Sequence, residues 1–410
     1  MATVGIDLGT YKLRVAREVN GVRTVSSLPP DGGRLPFAVE PATGGRGWRI
    51  ASLKRALDYD TSLTIPSGTA RTLDLLVELL REVAGSFDAD GDGIPRCAVA
   101  VPNCFSQRQR AVFQEAAQRA GFLRVRLVDD TLAALLGSAP TVQQSFPALV
   151  YQWGAGTFSA ALYRRKGGAV QLVAQEGNRA LGADDLDAET IAVIATGLHD
   201  VCRSGTAVAD PAVLRRAAVV AARVRHALAA DTEEEVPLAT LLGVPDASLL
   251  PILRDRLRAA LAAMLAETTT LVDRVLAVGG CTPAVVLAVG AMTTLSAVQT
   301  SLRTRLDVPV VRASEDAVAF GAAVHAGLIS DAEWGRLRRG PPAPPAVKAG
   351  MESRCEVRNA GLAVPPAPRR VGPMVMPTLA AGARGGRTKQ GRNTLCACGS
   401  GRKFKRCCGA

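Results

Sequence analysis

Two short stretches of this chain repeat one plan, and that repetition limits the folds open to it more than any other feature. Near the N-terminus, the apolar run Val4-Gly5-Ile6-Asp7-Leu8 stops at Gly9-Thr10, and a second run, Leu13-Arg14-Val15-Ala16, follows. At the centre, the run Ala148–Tyr151 stops at Gly154-Ala155-Gly156-Thr157 and resumes as Phe158–Leu162. Each reads as a β-hairpin with a tight glycine tip. Glycine lets backbone N–H groups approach a bound group closely, and successive N–H groups in a turn form an anion-binding concavity. One such turn alone is an ordinary hairpin. Two of them are joined by a third apolar run, Ala284–Val289, which ends in Gly290-Ala291-Met292-Thr293. Together they predict two related halves gripping a polyphosphate from both sides.

Between the tips, strands and helices alternate. The spacing of Leu73, Leu76, Val77 and Leu80 predicts a helix over Thr69–Ala84. A strand is predicted at Cys97–Val101, a helix at Gln107–Ala120 ended by Gly121, a strand at Arg126–Val128 and a helix at Leu132–Leu136. Residues 187–270 carry helical patterns, and Glu315–Ile329 reads as a final helix. Alternation of this kind implies an α/β fold. A chain of 410 residues, 48% of them apolar, is long enough for two or three domains with large cores. Val275–Leu302 carries no charge and has the length of a membrane span, but Gly279-Gly280, Pro283 and several hydroxyl residues interrupt it. It reads as buried strand, loop and helix, with no membrane span. Asp88–Gly93 resembles the start of a calcium loop, yet Val99 stands where the bidentate glutamate belongs, so a solvated turn is predicted.

The net charge of +12 is unevenly placed. Residues 331–410 hold 16 Lys/Arg and 4 Asp/Glu; removing these from the chain's 49 and 37 leaves 33 of each sign in the body. Basic partner chemistry therefore belongs to the tail. Residues 341–392 are rich in Pro, Gly, Ala and Arg and read as disordered. The chain then ends in Cys396-Ala397-Cys398 and Cys407-Cys408, four thiols in a polar, basic segment. Such a set suits a tetrahedral structural zinc site. Nine cysteines without a secretory leader point to reduced thiols and a cytoplasmic location.

The order and wording of the motifs resemble the nucleotide-binding domain of the heat-shock 70 kDa (DnaK-type) chaperones over roughly residues 2–330. The resemblance rests on Val4–Thr10, Ser52-Leu53-Lys54-Arg55, Val101-Pro102 with Gln109-Arg110, Leu127–Ala134, Gly154–Phe158, Leu181–Asp187, Val289–Thr293 and Glu315–Ala323. It implies the actin-like ATPase fold, a duplicated ribonuclease H-like, two-lobed α/β domain, with lobe I at about 1–146 and lobe II at about 147–330. It also implies ATP or ADP with Mg2+ as ligands. Gly9, Thr10 and Tyr11 would form the first phosphate loop and Gly154, Gly156 and Thr157 the second, with Gly182 beside them. Asp7, Lys54 and Asp130 would be the catalytic set, Asp7 holding a water on the magnesium and Lys54 neutralising developing charge. Arg225, Gly290 and Glu315 would lie near adenosine, and His226 replaces an arginine of the family. Residues 393–410 resemble the SEC-C zinc motif that ends the preprotein translocase motor SecA, which implies zinc on Cys396, Cys398, Cys407 and Cys408 and docking on a protein, the ribosome or another acidic surface. Residues 331–392 would be the linker.

The departures from the family pattern carry as much information as the matches. Gln152 and Ser159 stand where the family's second loop has aspartates, Ala155 replaces a glycine, and Asp130 replaces a glutamate. A glutamine hydrogen-bonds water but brings no negative charge to a hard cation. Impaired hydrolysis is predicted, and no room remains for a peptide-binding β-sandwich of the usual size. The alternative is an active ATP-hydrolysing chaperone with a rearranged magnesium site. A sugar kinase of this fold matches the Lys54 and adenosine motifs less well, and a filament-forming actin relative would sediment with ATP.

Overall fold

The computed structural model describes residues 3–19, 22–29, 34–41, 48–88, 96–122, 124–202, 217–222, 224–225 and 249–337. Its frame is one five-stranded sheet built twice. In the first, β1 (Thr3–Leu8), β2 (Leu13–Val19) and β3 (Val22–Leu28) form an antiparallel meander. Two small hairpins follow: β4 (Phe37–Pro41) with β5 (Trp48–Ser52), and β6 (Ser62–Ile65) with β7 (Gly68–Arg71). Then β8 (Arg96–Val101) pairs parallel with β1, and β9 (Val125–Asp129) with β8, giving the order β3-β2-β1-β8-β9. The second sheet repeats every pairing sign. The meander is β10 (Ala148–Trp153), β11 (Phe158–Lys166) and β12 (Ala169–Asn178); β13 (Val285–Val289) and β14 (Val310–Arg312) add parallel strands, in the order β12-β11-β10-β13-β14. This is the two-lobed, duplicated α/β architecture that the resemblance implies.

The burial of the strands explains their composition. All six residues of β10 are buried, as befits a strand covered on both faces. Leu149, Tyr151 and Trp153 face the core of lobe II, while Ala148 and Val150 join Ala98, Ala100, Ala161 and Leu287 in a core of smaller residues. That second core also takes residues from helices Asp130–Leu136 and Ala317–Leu328. The two helices touch backbone to backbone: a Cβ on Gly321 would fall 1.6 Å from Ala133 O, and one on Gly137 1.9 Å from Ala317 O. The same helix closes over β1, where a Cβ on Gly5 would lie 2.0 Å from Ala319 O.

Several element bounds differ from the sequence expectation for identifiable reasons. The first long helix runs Thr72–Asp88, because Gly68–Arg71 is used in the β6–β7 hairpin and the Thr72 hydroxyl donates to Asp58 O at 2.8 Å. Glu315 and Asp316 precede the helix at Ala317, with Asp316 at its N-cap. Val275–Leu302 resolves into the end of helix Leu249–Gly279, strand β13, the turn Ala291–Thr294 and helix Ser296–Leu306. Among the described residues no helix is long and apolar enough to cross a membrane. Residues 331–337, expected as the start of a linker, are instead helical (Asp331–Leu337), and Trp334 is 1% exposed, its indole N–H donating to Ala326 O; the rest of the expected linker lies outside the described residues. Ser330 and Glu333 cap this helix reciprocally, with Ser330 N to Glu333 Oε2 at 3.1 Å and Glu333 N to Ser330 Oγ at 3.3 Å.

Candidate functional site

The two hairpin tips meet across the cleft between the lobes. Each is a four-residue loop closed by one backbone bond, Gly9 N to Lys12 O at 2.9 Å and Gly154 N to Thr157 O at 3.0 Å. A Cβ on Gly156 would begin 2.7 Å from Thr10 Oγ1, so the tips are in contact. Thr10 and Thr157 are both buried. Gly290 comes against the second tip with φ +96°, and a Cβ there would lie 2.5 Å from Trp153 O. Only glycine satisfies that conformation and that approach together. Below the second tip, Tyr151, Trp153 and Phe158 pack edge to face, Tyr151 and Phe158 at 5.0 Å between ring centres.

The polar floor lies where the small-residue faces of both sheets reach the cleft. Asp7 projects from β1 on the side of Gly5, and Gln152 from β10 on the side of Val150. Ser159 is the register partner of Gln152 on β11. Asp130, fully buried, opens helix Asp130–Leu136, and its Oδ2 accepts from Gln152 Nε2 at 2.8 Å. Three buried oxygens here have no hydrogen-bond partner: Asp130 Oδ1, Gln152 Oε1 and Ser159 Oγ. Burial pushes the Asp130 carboxyl up to about 7, against the pull of Lys54; Asp129 and Asp7 add to the rise. Burial likewise raises Asp7 above the usual carboxylate range, opposed by Lys54 and Arg14.

Lys54, on the short helix Leu53–Ala56, is 6% exposed and interacts electrostatically with both Asp7 and Asp130. Among the described residues its ammonium makes no hydrogen bond or ion pair. A buried cation without a bound partner is costly unless an anion completes it.

Around these groups the structure shows a set of cross-lobe contacts that motif matching does not reveal. Arg34 lies over the rings of Tyr11 and Phe37, at 3.9 and 4.2 Å, and donates to the buried Asp184 at 2.7 Å. Arg55 donates to Asp185 at 2.9 Å, and Gly182 N donates to the other oxygen of Asp185 at 2.8 Å. Tyr11 donates its hydroxyl proton to Asp187 at 3.0 Å, while Arg225 donates through Nε to Asp187 at 2.9 Å and through Nη2 to the Tyr11 oxygen at 3.2 Å. Asp184, Asp185 and Asp187 all sit in the first turns of helix Ala183–Cys202, an electrically favourable place for carboxylates. Burial still raises Asp184 to about 6, against Arg34 and Arg55. Arg225 is thus engaged with Tyr11 and Asp187, and Glu315, 87% exposed, accepts from Arg14 at 2.8 Å. His226 and the four tail cysteines lie outside the described residues.

The floor presents two carboxylates, one of them already accepting from an amide, beside a neutral amide and a hydroxyl. Among the described residues no three His, Cys, Asp or Glu side chains are grouped to hold a metal ion. Mg2+ in nucleotide sites is held by one or two carboxylates together with phosphates and waters, a donor set that Asp7 and Asp130 are chemically able to supply.

A family model for Hsp70 protein matches residues 70–335, and one for the SEC-C motif matches residues 392–410. The chain is similar to proteins named "Chaperone protein HscA homolog". That of Methylibium petroleiphilum is 30% identical over 330 residues, 68% of this chain and 52% of the relative. That of Shewanella amazonensis is 28% identical over 334 residues, 80% of this chain and 52% of the relative. The chain spans about half the length of the curated relatives it matches. The family implies nucleotide and Mg2+ binding in general. With the duplicated sheets, the facing threonine tips and a family match over most of the body, this chain belongs to the Hsp70 protein family.

Proposed function

We propose that the cleft binds ATP or ADP and turns it over poorly, and that the protein acts as a nucleotide-sensing relative of the chaperones with a zinc-tipped adaptor tail. The buried Lys54, which makes no hydrogen bond or ion pair among the described residues, carries this reading, because a phosphate is the anion such a cation calls for. Thr10 and Thr157 would donate to phosphate oxygens, backed by the N–H groups of Tyr11 and Gly156, while those of Gly9 and Gly154 close the two loops. Asp7 and Asp130 would orient water. Adenosine would lie by Gly290, with Arg225 and Glu315 reaching it after exchanging their present partners. Poor turnover is supported by Gln152 and Ser159, which give the attacking water no anionic acceptor. In the tail, Cys396, Cys398, Cys407 and Cys408 would hold one zinc ion, and the excess of Lys/Arg would favour an acidic protein or RNA surface.

Phosphate release from ATP tests the reading. The double substitution Gln152→Asp, Ser159→Asp should raise hydrolysis at least about tenfold, about 1.4 kcal/mol of barrier. Wild-type turnover equal to that of the double variant would favour an active ATPase with a rearranged site.

A further inference from the structure

We infer that Tyr11, Arg34 and Arg55 are positioning residues that hold the cleft shut on its nucleotide and set how long the nucleotide stays. This rests on the nucleotide reading above. All three belong to lobe I, and all three reach one place in lobe II, the first turns of helix Ala183–Cys202. Arg34 donates to Asp184 at 2.7 Å, Arg55 to Asp185 at 2.9 Å, and the Tyr11 hydroxyl to Asp187 at 3.0 Å. Arg225, from lobe II, pairs with Asp187 at 2.9 Å, so each of the three carboxylates has its own guanidinium.

These joints stand directly behind the elements that would face the phosphates. Tyr11 follows Thr10 in the first tip. Arg34 is tied to that tip twice: its guanidinium lies 3.9 Å from the centre of the Tyr11 ring, and the next residue, Leu35, donates its N–H to Tyr11 O at 2.8 Å. Arg55 follows Lys54, and its Cγ would lie 3.0 Å from a Cβ on Gly156 in the second tip. On the other side, the aspartate-bearing helix is bonded to the second tip by Ala183 N to Gly154 O at 3.2 Å and Asp184 N to Ala155 O at 2.8 Å. A Cβ on Gly182 would fall 2.2 Å from Ala155 O, so the two are in close backbone contact. The second tip therefore cannot leave the first without carrying the aspartates off their partners.

The joints are also well shielded from water. The side chains of Asp184 and Asp187 are fully buried, and those of Arg34 and Arg55 are only 15% exposed. Separating such a pair leaves desolvated charges behind, and truncating one partner acts chiefly on dissociation. An open cleft captures nucleotide without these contacts; a closed one must break them to let it go.

The test is the release of a fluorescent ADP from the full chain at neutral pH with MgCl2, chased with excess ADP and followed by stopped flow. Arg34→Gln and Asp184→Asn should each speed release by about tenfold or more, with association within about threefold of wild type. Combined, they should release little faster than either alone, because they break the same joint. Tyr11→Phe keeps every charge paired and its ring beside Arg34, so it guards against a fold lost in the charge variants. It should speed release by about threefold or more. A merely structural role would lower the fraction of protein that binds without changing the rate of release from the rest. Release at the wild-type rate from Tyr11→Phe, or from a folded charge variant, would overturn the inference, as would effects of Arg34→Gln and Asp184→Asn that multiply in full. Wild type that binds no ADP would overturn the nucleotide reading itself, which keeps the two failures apart.

Discussion

Asp130 is the side chain whose surroundings leave the clearest thermodynamic mark. Its carboxyl, ordinarily near 3.8, is raised to about 7 by burial. Between those values the unfolded chain has released this proton and the folded chain still holds it. Stability therefore falls as pH rises across that window, by up to about 1.4 kcal/mol per unit from this group. Asp184, raised to about 6, adds a slope of the same sign at the lower end. Asp130→Asn keeps an acceptor for the Gln152 amide and removes the titration. We expect urea unfolding of that variant to lose much of the slope between pH 4 and 7 and to gain stability above pH 7; an unchanged slope would sink this account. The hairpin tips carrying Thr10 and Thr157 were legible in the sequence because each sits at a fixed offset within a local run–turn–run pattern, whereas Asp7, Lys54 and Asp130 were singled out only through the family resemblance. Arg34 and the pairing of Tyr11 with Asp187 were not. Their contacts join residues 150 and 176 positions apart, and no local pattern encodes which lobe surfaces will face each other.

At the level of elements, the crossing of helices Asp130–Leu136 and Ala317–Leu328 is the tightest joint in the molecule's centre. Ala317, Ala319, Ala322, Ala323 and Ala326 are all 0–1% exposed, and Gly321 brings its backbone against Ala133. A methyl at position 321 has nowhere to go except by separating the helices. Gly321→Ala should destabilise by roughly 1–3 kcal/mol despite the better helix propensity of alanine. Thermal unfolding would register this as a midpoint several degrees lower, and an unmoved midpoint would mean that the helices can slide apart freely. The small-residue run was legible as a helix from its composition; the closeness of its packing was not, because that depends on a partner helix far away in the chain. The last helix teaches the opposite lesson. Judged by polarity, Asp331–Gly340 looks like linker, yet Ser330-Asp331-Ala332-Glu333 spells a capping box and Trp334 supplies the apolar anchor.

For the whole molecule, these details relocate the useful point of division. A chain ending after Leu337, which retains Trp334, should unfold at the same temperature as the full protein, whereas one ending at Ser330 loses a buried tryptophan and should unfold several degrees lower. Metal analysis of the first truncation should find no zinc, against one ion in the full chain; stoichiometric zinc in the truncated body would eliminate the tail site. Capture of an acidic partner should weaken with added salt for the full chain and be absent for the body, whose charges balance. Equal capture by the body would place the docking surface elsewhere. The duplicated sheet was legible at this scale because both tips preserve the same run-turn-run spacing, while the strand order had to come from the pairing itself. The seal of Gly5 by Ala319 also has a consequence for how the chain is made. The central strand of the first sheet is synthesised about 310 residues before the helix that covers it. Lobe I must therefore wait through the synthesis of those residues with one face of its sheet uncovered, a nascent intermediate exposed to aggregation until that helix emerges.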